Sequence, residues 1–147
     1  MFNKEKTKVI NLGCRLNFFE SEVINGILSD KKHEKKIVVN TCAVTNNAVQ
    51  KSLQEVRKLA KYYPDKEIIV TGCASQLEKG LFENLKNVSR IIDNKYKTVP
   101  DAYELENSLV GKKYEFPELA NTESKRTRAT IQIQQGCNHR CTFCIIP

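Results

Sequence analysis

Three short segments rich in β-branched residues are each followed, within two residues, by a cysteine. The segments are Thr7–Leu12, Ile37–Thr41 and Glu67–Thr71, and the cysteines are Cys14, Cys42 and Cys73. Their length and composition predict β-strands. Because a predicted helix follows each strand, the chain should form right-handed βαβ units around a parallel sheet. The sequence therefore predicts an α/β fold with helices on both faces of the sheet.

Apolar residues three and four positions apart predict the helices. In the first helix, Asn17 and Glu20 have the spacing of a capping box, and the buried face is Phe19, Val23, Ile24, Ile27 and Leu28. The second helix is capped by Thr45 or Asn46 and stopped by Pro64. Its apolar face is Val49, Leu53, Val56, Ala60 and Tyr63. A third helix is predicted from Gln76 to Lys86, with one face formed by Leu77, Leu81 and Leu85.

The alternation of predicted strands and helices continues for one more strand and one short helix and then stops. Arg90–Asp93 is predicted to be a fourth strand and Val99–Leu105 a short helix, which closes a first domain at residues 1–109. Residues 110–126 contain glycine and proline but no apolar periodicity, so we expect a linker. Residues 127–147 are predicted to begin a second domain, with a strand at Arg128–Gln135 leading into a cysteine-rich loop.

Composition and charge narrow the class of protein. The 147 residues include six cysteines and carry a formal charge of +7, and no apolar run approaches the roughly 20 residues of a membrane span. No secretory signal is visible at the N-terminus, so we expect a cytosolic protein whose cysteines bind metal or act in catalysis rather than form disulfides. The charge fits a polyanionic partner, although a lysine-rich solvated surface explains it equally well.

The cysteines form two groups of three. Since parallel strands end at one edge of the sheet, Cys14, Cys42 and Cys73 should converge there, at the place where α/β proteins bind ligands. Cys137, Cys141 and Cys144 have the spacing C-x3-C-x2-C, which suits three corners of an iron–sulfur cubane. Each upstream cysteine taken singly is more typical of a hydrophobic core. We expect the two histidines, His33 and His139, to be exposed and not to be ligands.

Four motifs carry a resemblance to a known family. GCNHRCTFCIIP resembles the cluster motif of radical S-adenosylmethionine enzymes, and NLGCRLN, VVNTCAVTN and VTGCASQ resemble the methylthiotransferases among them. LGCRLN together with NTCAVTN is most similar to the branch acting on N6-threonylcarbamoyladenosine at position 37 of tRNA. The resemblance extends over essentially the whole chain. It implies an N-terminal methylthiotransferase domain and the first strand and cluster loop of a truncated, TIM-barrel-like radical domain.

The resemblance also implies cofactors and partners. Cys137, Cys141 and Cys144 would hold a [4Fe–4S] cluster that binds S-adenosylmethionine, and Cys14, Cys42 and Cys73 would hold a second [4Fe–4S] cluster. The reaction would place a methylthio group on C2 of the adenine, with tRNA as substrate and an external electron donor and sulfur source as partners. We expect this N-terminal portion to be inactive alone. The alternatives are a free-standing iron–sulfur module or electron carrier and, with less support, a zinc-binding or thiol-redox protein.

Overall fold

Four parallel strands form the sheet, and they lie side by side in the order in which they occur in the sequence. The computed structural model describes residues 8–29, 33, 35–104 and 130–146. The strands are β1 (Lys8–Asn11), β2 (Lys36–Thr41), β3 (Glu67–Gly72) and β4 (Val88–Ile92). Every neighbouring pair is parallel. The predicted α/β architecture and its four upstream strands are confirmed.

Helices cross over between the strands. They are α1 (Arg15–Ile27), α2 (Asn46–Tyr62), α3 (Cys73–Leu77) and α4 (Lys79–Glu83), and a 3₁₀ helix at Pro100–Tyr103 follows β4. The second helix forms as predicted: the Thr45 hydroxyl accepts a hydrogen bond from the Ala48 N–H, and the helix ends before Pro64. None of the helices in the described part of the chain has the length and hydrophobicity needed to cross a bilayer.

The sheet is covered on both faces because its central strands are apolar at every middle position. Residues of one set of alternating positions, Ile37, Val39, Ile68 and Val70, pack against α2 and α4. The opposite set includes Val38 and Ile69, which pack against α1 and the 3₁₀ helix. Each fully buried Val or Ile contributes about 1.5–3 kcal/mol. Parallel sheets are typically covered in this way, and their polar chemistry is consequently displaced to the strand ends.

Two of the helix predictions are wrong in detail. Helix α1 begins at Arg15 with Cys14 at its N-cap, so Asn17 and Glu20 lie inside the helix and are buried rather than forming a capping box. The third predicted helix is divided at Glu78 into α3 and α4. In α4 it is Phe82 that is fully buried, and a buried aromatic ring contributes strongly to the energetics of a core. Leu77 and Leu81 are consequently about half exposed.

Three further expectations have different outcomes. His33 was expected at the surface, but it is buried within the 3₁₀ turn ahead of β2. The strand expected at Arg128–Gln135 is absent over residues 130–135, because a strand requires a neighbour and no described residue pairs with this segment. The predicted linker, 110–126, lies outside the described residues. The domain division itself stays a prediction.

Gly72 provides a test of the packing between β2 and β3. Its φ is +99°, and a Cβ placed there would collide with the backbone oxygen and nitrogen of Thr41. Gly72→Ala should therefore lower the free energy of unfolding by about 3 kcal/mol or more, measured by urea denaturation. Gly26→Ala is the matched control, because that site in α1 is open and alanine should stabilise by about 0.5–1 kcal/mol. Equal stability of the two variants would contradict the close approach at Gly72.

Candidate functional site

The three upstream cysteines lie at the carboxyl edge of three adjacent strands, as predicted. Cys14 is the N-cap of α1, Cys42 follows β2 directly, and Cys73 is the first residue of α3. Their environments differ: Cys14 is exposed, Cys42 is buried and Cys73 is partly buried. The strand order β1-β2-β3 brings the three loops together, although the cysteines are far apart in the sequence.

Thr41 connects the segments that carry these cysteines. Its hydroxyl donates to the Thr71 carbonyl at 2.7 Å and accepts from the Ser75 N–H at 3.1 Å. The hydroxyl thus contacts the chain both before and after Cys73. The carbonyl of Thr41 accepts a hydrogen bond from the Asn17 side chain at 2.9 Å, which attaches the first turn of α1 and hence Cys14. Thr41 is itself the residue before Cys42. One fully buried residue thus fixes the relative positions of all three loops.

The loop at Cys14 is held by short-range contacts. The Leu12 N–H donates to the Asn40 carbonyl at 3.0 Å, and the Gly13 N–H donates to the Asn11 side chain at 3.0 Å. Gly13 lies directly against the Asn17 side chain, and no Cβ fits between them. The Cys14 thiol lies 3.9 Å from Asn17 Oδ1, toward which it donates. The glycine of this motif is therefore required by the packing of the following helix.

Neighbouring groups act electrostatically on the Cys73 thiol. Burial raises the pKa of this thiol above its ordinary value of 9.0, the Lys97 ammonium lowers it, and Cys42, Cys14 and Glu20 raise it further. A thiol must lose its proton before it binds a metal ion, so ligation by Cys73 would release a proton and would be favoured by the nearby cation. Lys97 and Glu20 thus act on Cys73 with opposite signs.

A soft metal centre matches this edge in its donor chemistry. Three thiols are ligands that zinc, Cu(I) and iron–sulfur clusters prefer. In the described residues, however, no group of three or more His, Cys, Asp or Glu side chains is arranged so that it could hold a single metal ion. The cysteines share the edge without forming a single-ion site among the described residues.

The downstream cysteines lie in a segment without helix or strand. Cys137 is partly buried, whereas Cys141 and Cys144 are exposed and joined by a turn in which the Cys144 N–H donates to the Cys141 carbonyl at 3.0 Å. His139 is exposed, as predicted. The ends of this segment, including Ile145, line a cavity of about 680 Å³ together with Cys73. The segment therefore borders the same edge of the domain as the upstream cysteines.

Sequence reasoning missed a buried ion pair beside the site. Lys97 Nζ lies 2.6 Å from Glu20 Oε2, with only 3% and 1% of the two side chains exposed. The same ammonium donates to Asn94 Oδ1 at 3.0 Å. Glu20 and Lys97 both line the cavity that Cys73 borders. The pairing joins residues from α1 and from the segment after β4, so no local pattern could have predicted it.

The fold and the site together define the class of protein: a parallel α/β domain that carries one cysteine after each of three adjacent strands. Residues 6–93 match the family described as "Uncharacterized protein family UPF0004", and the chain belongs to that family.

Over nearly its whole length the chain is also similar to methylthiotransferases, which confirms the resemblance carried by its motifs. It is 37% identical to the threonylcarbamoyladenosine tRNA methylthiotransferase MtaB of Rickettsia prowazekii, across all of this chain and 36% of that protein. It is 34% identical to the ribosomal protein uS12 methylthiotransferase RimO of Clostridium acetobutylicum, across 99% of this chain and 37% of the relative. It is 31% identical to the tRNA-2-methylthio-N(6)-dimethylallyladenosine synthase of Chloroherpeton thalassium, across 98% and 36%. The chain thus spans about a third of the length of these relatives.

The hydroxyl of Thr41 can be removed without changing the shape of the residue. Thr41→Val leaves the Ser75 N–H without its partner and should lower the free energy of unfolding by about 1–3 kcal/mol. Ser89→Ala is a suitable control, because Ser89 lies on the exposed part of β4 and its hydroxyl bond to Ile68 is long, at 3.5 Å. That change should cost less than about 0.5 kcal/mol in the same urea titration. A Thr41→Val variant as stable as Ser89→Ala would refute the connecting role.

Glu20 should make stability depend on pH. Burial raises its pKa above the ordinary value of 4.5 more strongly than Lys97 and Asn40 lower it. The folded protein therefore keeps a proton that the unfolded chain loses, and stability falls as the pH rises from about 4.5 toward the folded-state pKa. Urea unfolding across this range should show the decline in the wild-type chain. Glu20→Gln should abolish this part of the slope, and an unchanged slope would assign it to other groups.

Proposed function

We propose that the chain is the N-terminal part of a methylthiotransferase that modifies tRNA in the cytosol. The observation that carries the proposal is the placement of Cys14, Cys42 and Cys73 after three adjacent strands of the sheet. One cysteine at a strand end is explained by core packing, but three that meet at one edge are not. The named methylthiotransferase relatives support the same conclusion.

Two sets of residues would hold the cofactors. Cys14, Cys42 and Cys73 would ligate one [4Fe–4S] cluster, and Cys137, Cys141 and Cys144 would ligate a second that binds S-adenosylmethionine. When bound, these groups supply the radical and sulfur chemistry of methylthio transfer, for which an electron donor and a sulfur source are the further partners. The chain's own contribution at the upstream site is to position three thiols with Thr41 and to keep Lys97 beside them.

The substrate is proposed to be a tRNA carrying N6-threonylcarbamoyladenosine. Three of the relatives bear the name of that activity, at 31–37% identity. Others are named for ribosomal protein uS12 or for dimethylallyladenosine in tRNA. The formal charge of +7 is compatible with a phosphate-rich partner, because Lys and Arg neutralise phosphates without regard to sequence. Charge and relatives together make tRNA the better-supported substrate.

Iron content tests the proposal. The purified chain is reconstituted with iron and sulfide without oxygen, and its iron is counted and its EPR spectrum recorded after reduction. About eight irons per chain are expected, falling to about four when either triplet of cysteines is replaced by serine.

The control for this experiment is His139→Ala, which removes an exposed side chain between two proposed ligands. It should retain the iron content of the wild-type chain, since the histidine is not assigned as a ligand. Iron that is lost with His139 would require a different ligand set. One tightly bound zinc and no iron would refute the proposed function.

A further inference from the structure

The ion pair between Glu20 and Lys97 is the most deeply buried charged group that the upstream thiol site leaves unexplained. Only 1% of the Glu20 side chain and 3% of the Lys97 side chain are exposed. Helix α1 supplies the carboxylate in the same turn as Asn17, the residue that attaches this helix to Thr41. The turn after β4 supplies the ammonium, which Asn94 also holds. The pair is therefore fixed at the carboxyl edge of the sheet.

Stability alone does not account for this pair. Moving two charges out of water costs several kcal/mol per ion, and their attraction often does no more than offset that cost. Apolar side chains of similar size at such positions are frequently as stable or more stable. The pair also lines the cavity that Cys73 borders. Its location beside a thiol is thus the feature that requires an explanation.

Charge balance at the thiol site explains why the ion pair lies there. Three thiolates gathered at one edge carry a concentrated negative charge, and a partly buried site has little water to screen it. Lys97 lines the same cavity as Cys73, and it is the buried cation among the described residues of that lining. Lys95 borders the same cavity, but its side chain is exposed and lies over the Tyr96 ring at 5.2 Å. Exposed charges are screened by solvent, so the fixed ammonium of Lys97 has the larger effect at the edge.

We propose that Lys97 is a positioning residue for the thiolate centre of Cys14, Cys42 and Cys73, with Glu20 and Asn94 holding its ammonium in place. This inference rests on the proposed function, because it assumes that those thiols bind a metal centre. Lys97 offsets part of the negative charge of that centre. It thereby strengthens metal binding and makes the centre easier to reduce, since a nearby cation favours the more negative, reduced state.

The test measures iron affinity and reduction potential, which a purely structural role would not shift in a charge-dependent way. Both are measured anaerobically on chains reconstituted with iron and sulfide, with Cys137, Cys141 and Cys144 replaced by serine so that one centre is observed. Lys97→Met should weaken iron retention against a chelator by roughly 10–100-fold and lower the reduction potential. Lys97→Arg, which keeps the positive charge, should restore most of both values.

Two control variants separate charge from structure. Lys95→Met removes a positive charge two positions away on the exposed side of the cavity, and it should leave both quantities close to the parent values. Glu20→Gln breaks the ion pair but keeps the cation, so it should not lower the reduction potential. A potential that falls equally in Glu20→Gln and Lys97→Met would indicate loss of structure and overturn the inference.

The remaining outcomes are also decisive. If Lys97→Met does not fold, as judged by circular dichroism, the double variant Glu20→Gln/Lys97→Met replaces it, because removing both charges avoids leaving one unpaired. A loss of affinity and potential in the same direction is expected there, smaller than in Lys97→Met because the opposing carboxylate charge is removed as well. A parent chain that binds iron while the Lys97 variants behave like Lys95→Met would refute the role of Lys97 alone. A parent chain that binds no iron would refute the proposed function and this inference with it.

Discussion

The hydrogen bonds of Thr41 are the constraint on which the carboxyl edge of the sheet depends. Its hydroxyl joins the ends of the two central strands and the first turn of α3, while its carbonyl receives the Asn17 side chain from α1. The neighbouring Thr71 extends the connection, since its hydroxyl donates to the Ile92 carbonyl at 2.7 Å. All four strand ends or the loops after them are thus connected by hydrogen bonds of side chains.

This arrangement follows from a division within each central strand. The middle residues are apolar on both faces and pack between helices, whereas the last residues, such as Asn40 and Thr41, are polar and fully buried. Buried polar groups are generally hydrogen-bonded: the Asn40 side-chain amide donates to the Asn17 carbonyl and the Ser21 hydroxyl, and the Thr41 hydroxyl donates to the Thr71 carbonyl. The middle of the sheet is therefore held by hydrophobic packing, which has no preferred direction, and its carboxyl edge by hydrogen bonds, which do. The hydrogen bonds at this edge are what position the chemically active side chains.

The sequence was sufficient to predict the four strands of the sheet, α2 and the convergence of Cys14, Cys42 and Cys73. Each of these depends on local spacing or on the topology of parallel sheets. The start of α1 was not predictable, since two polar residues three apart describe a capping box and one buried helical face equally well. The break at Glu78 and the full burial of Phe82 in α4 are features of the tertiary structure that the apolar spacing did not indicate. The pairing of Glu20 with Lys97 joins distant segments, and only the assembled fold reveals it.

The two cysteine triplets differ in how far their members are separated along the chain, and this has a kinetic consequence. Cys137, Cys141 and Cys144 lie within a single short loop, so they can chelate an ion with little loss of chain entropy even before folding. The upstream thiols come from three loops and meet only after β1, β2 and β3 have paired. A metal ion added to the unfolded chain can therefore bind the downstream loop at once, whereas the upstream site forms only when the domain folds. Occupancy of the upstream site would then report that the domain had folded correctly.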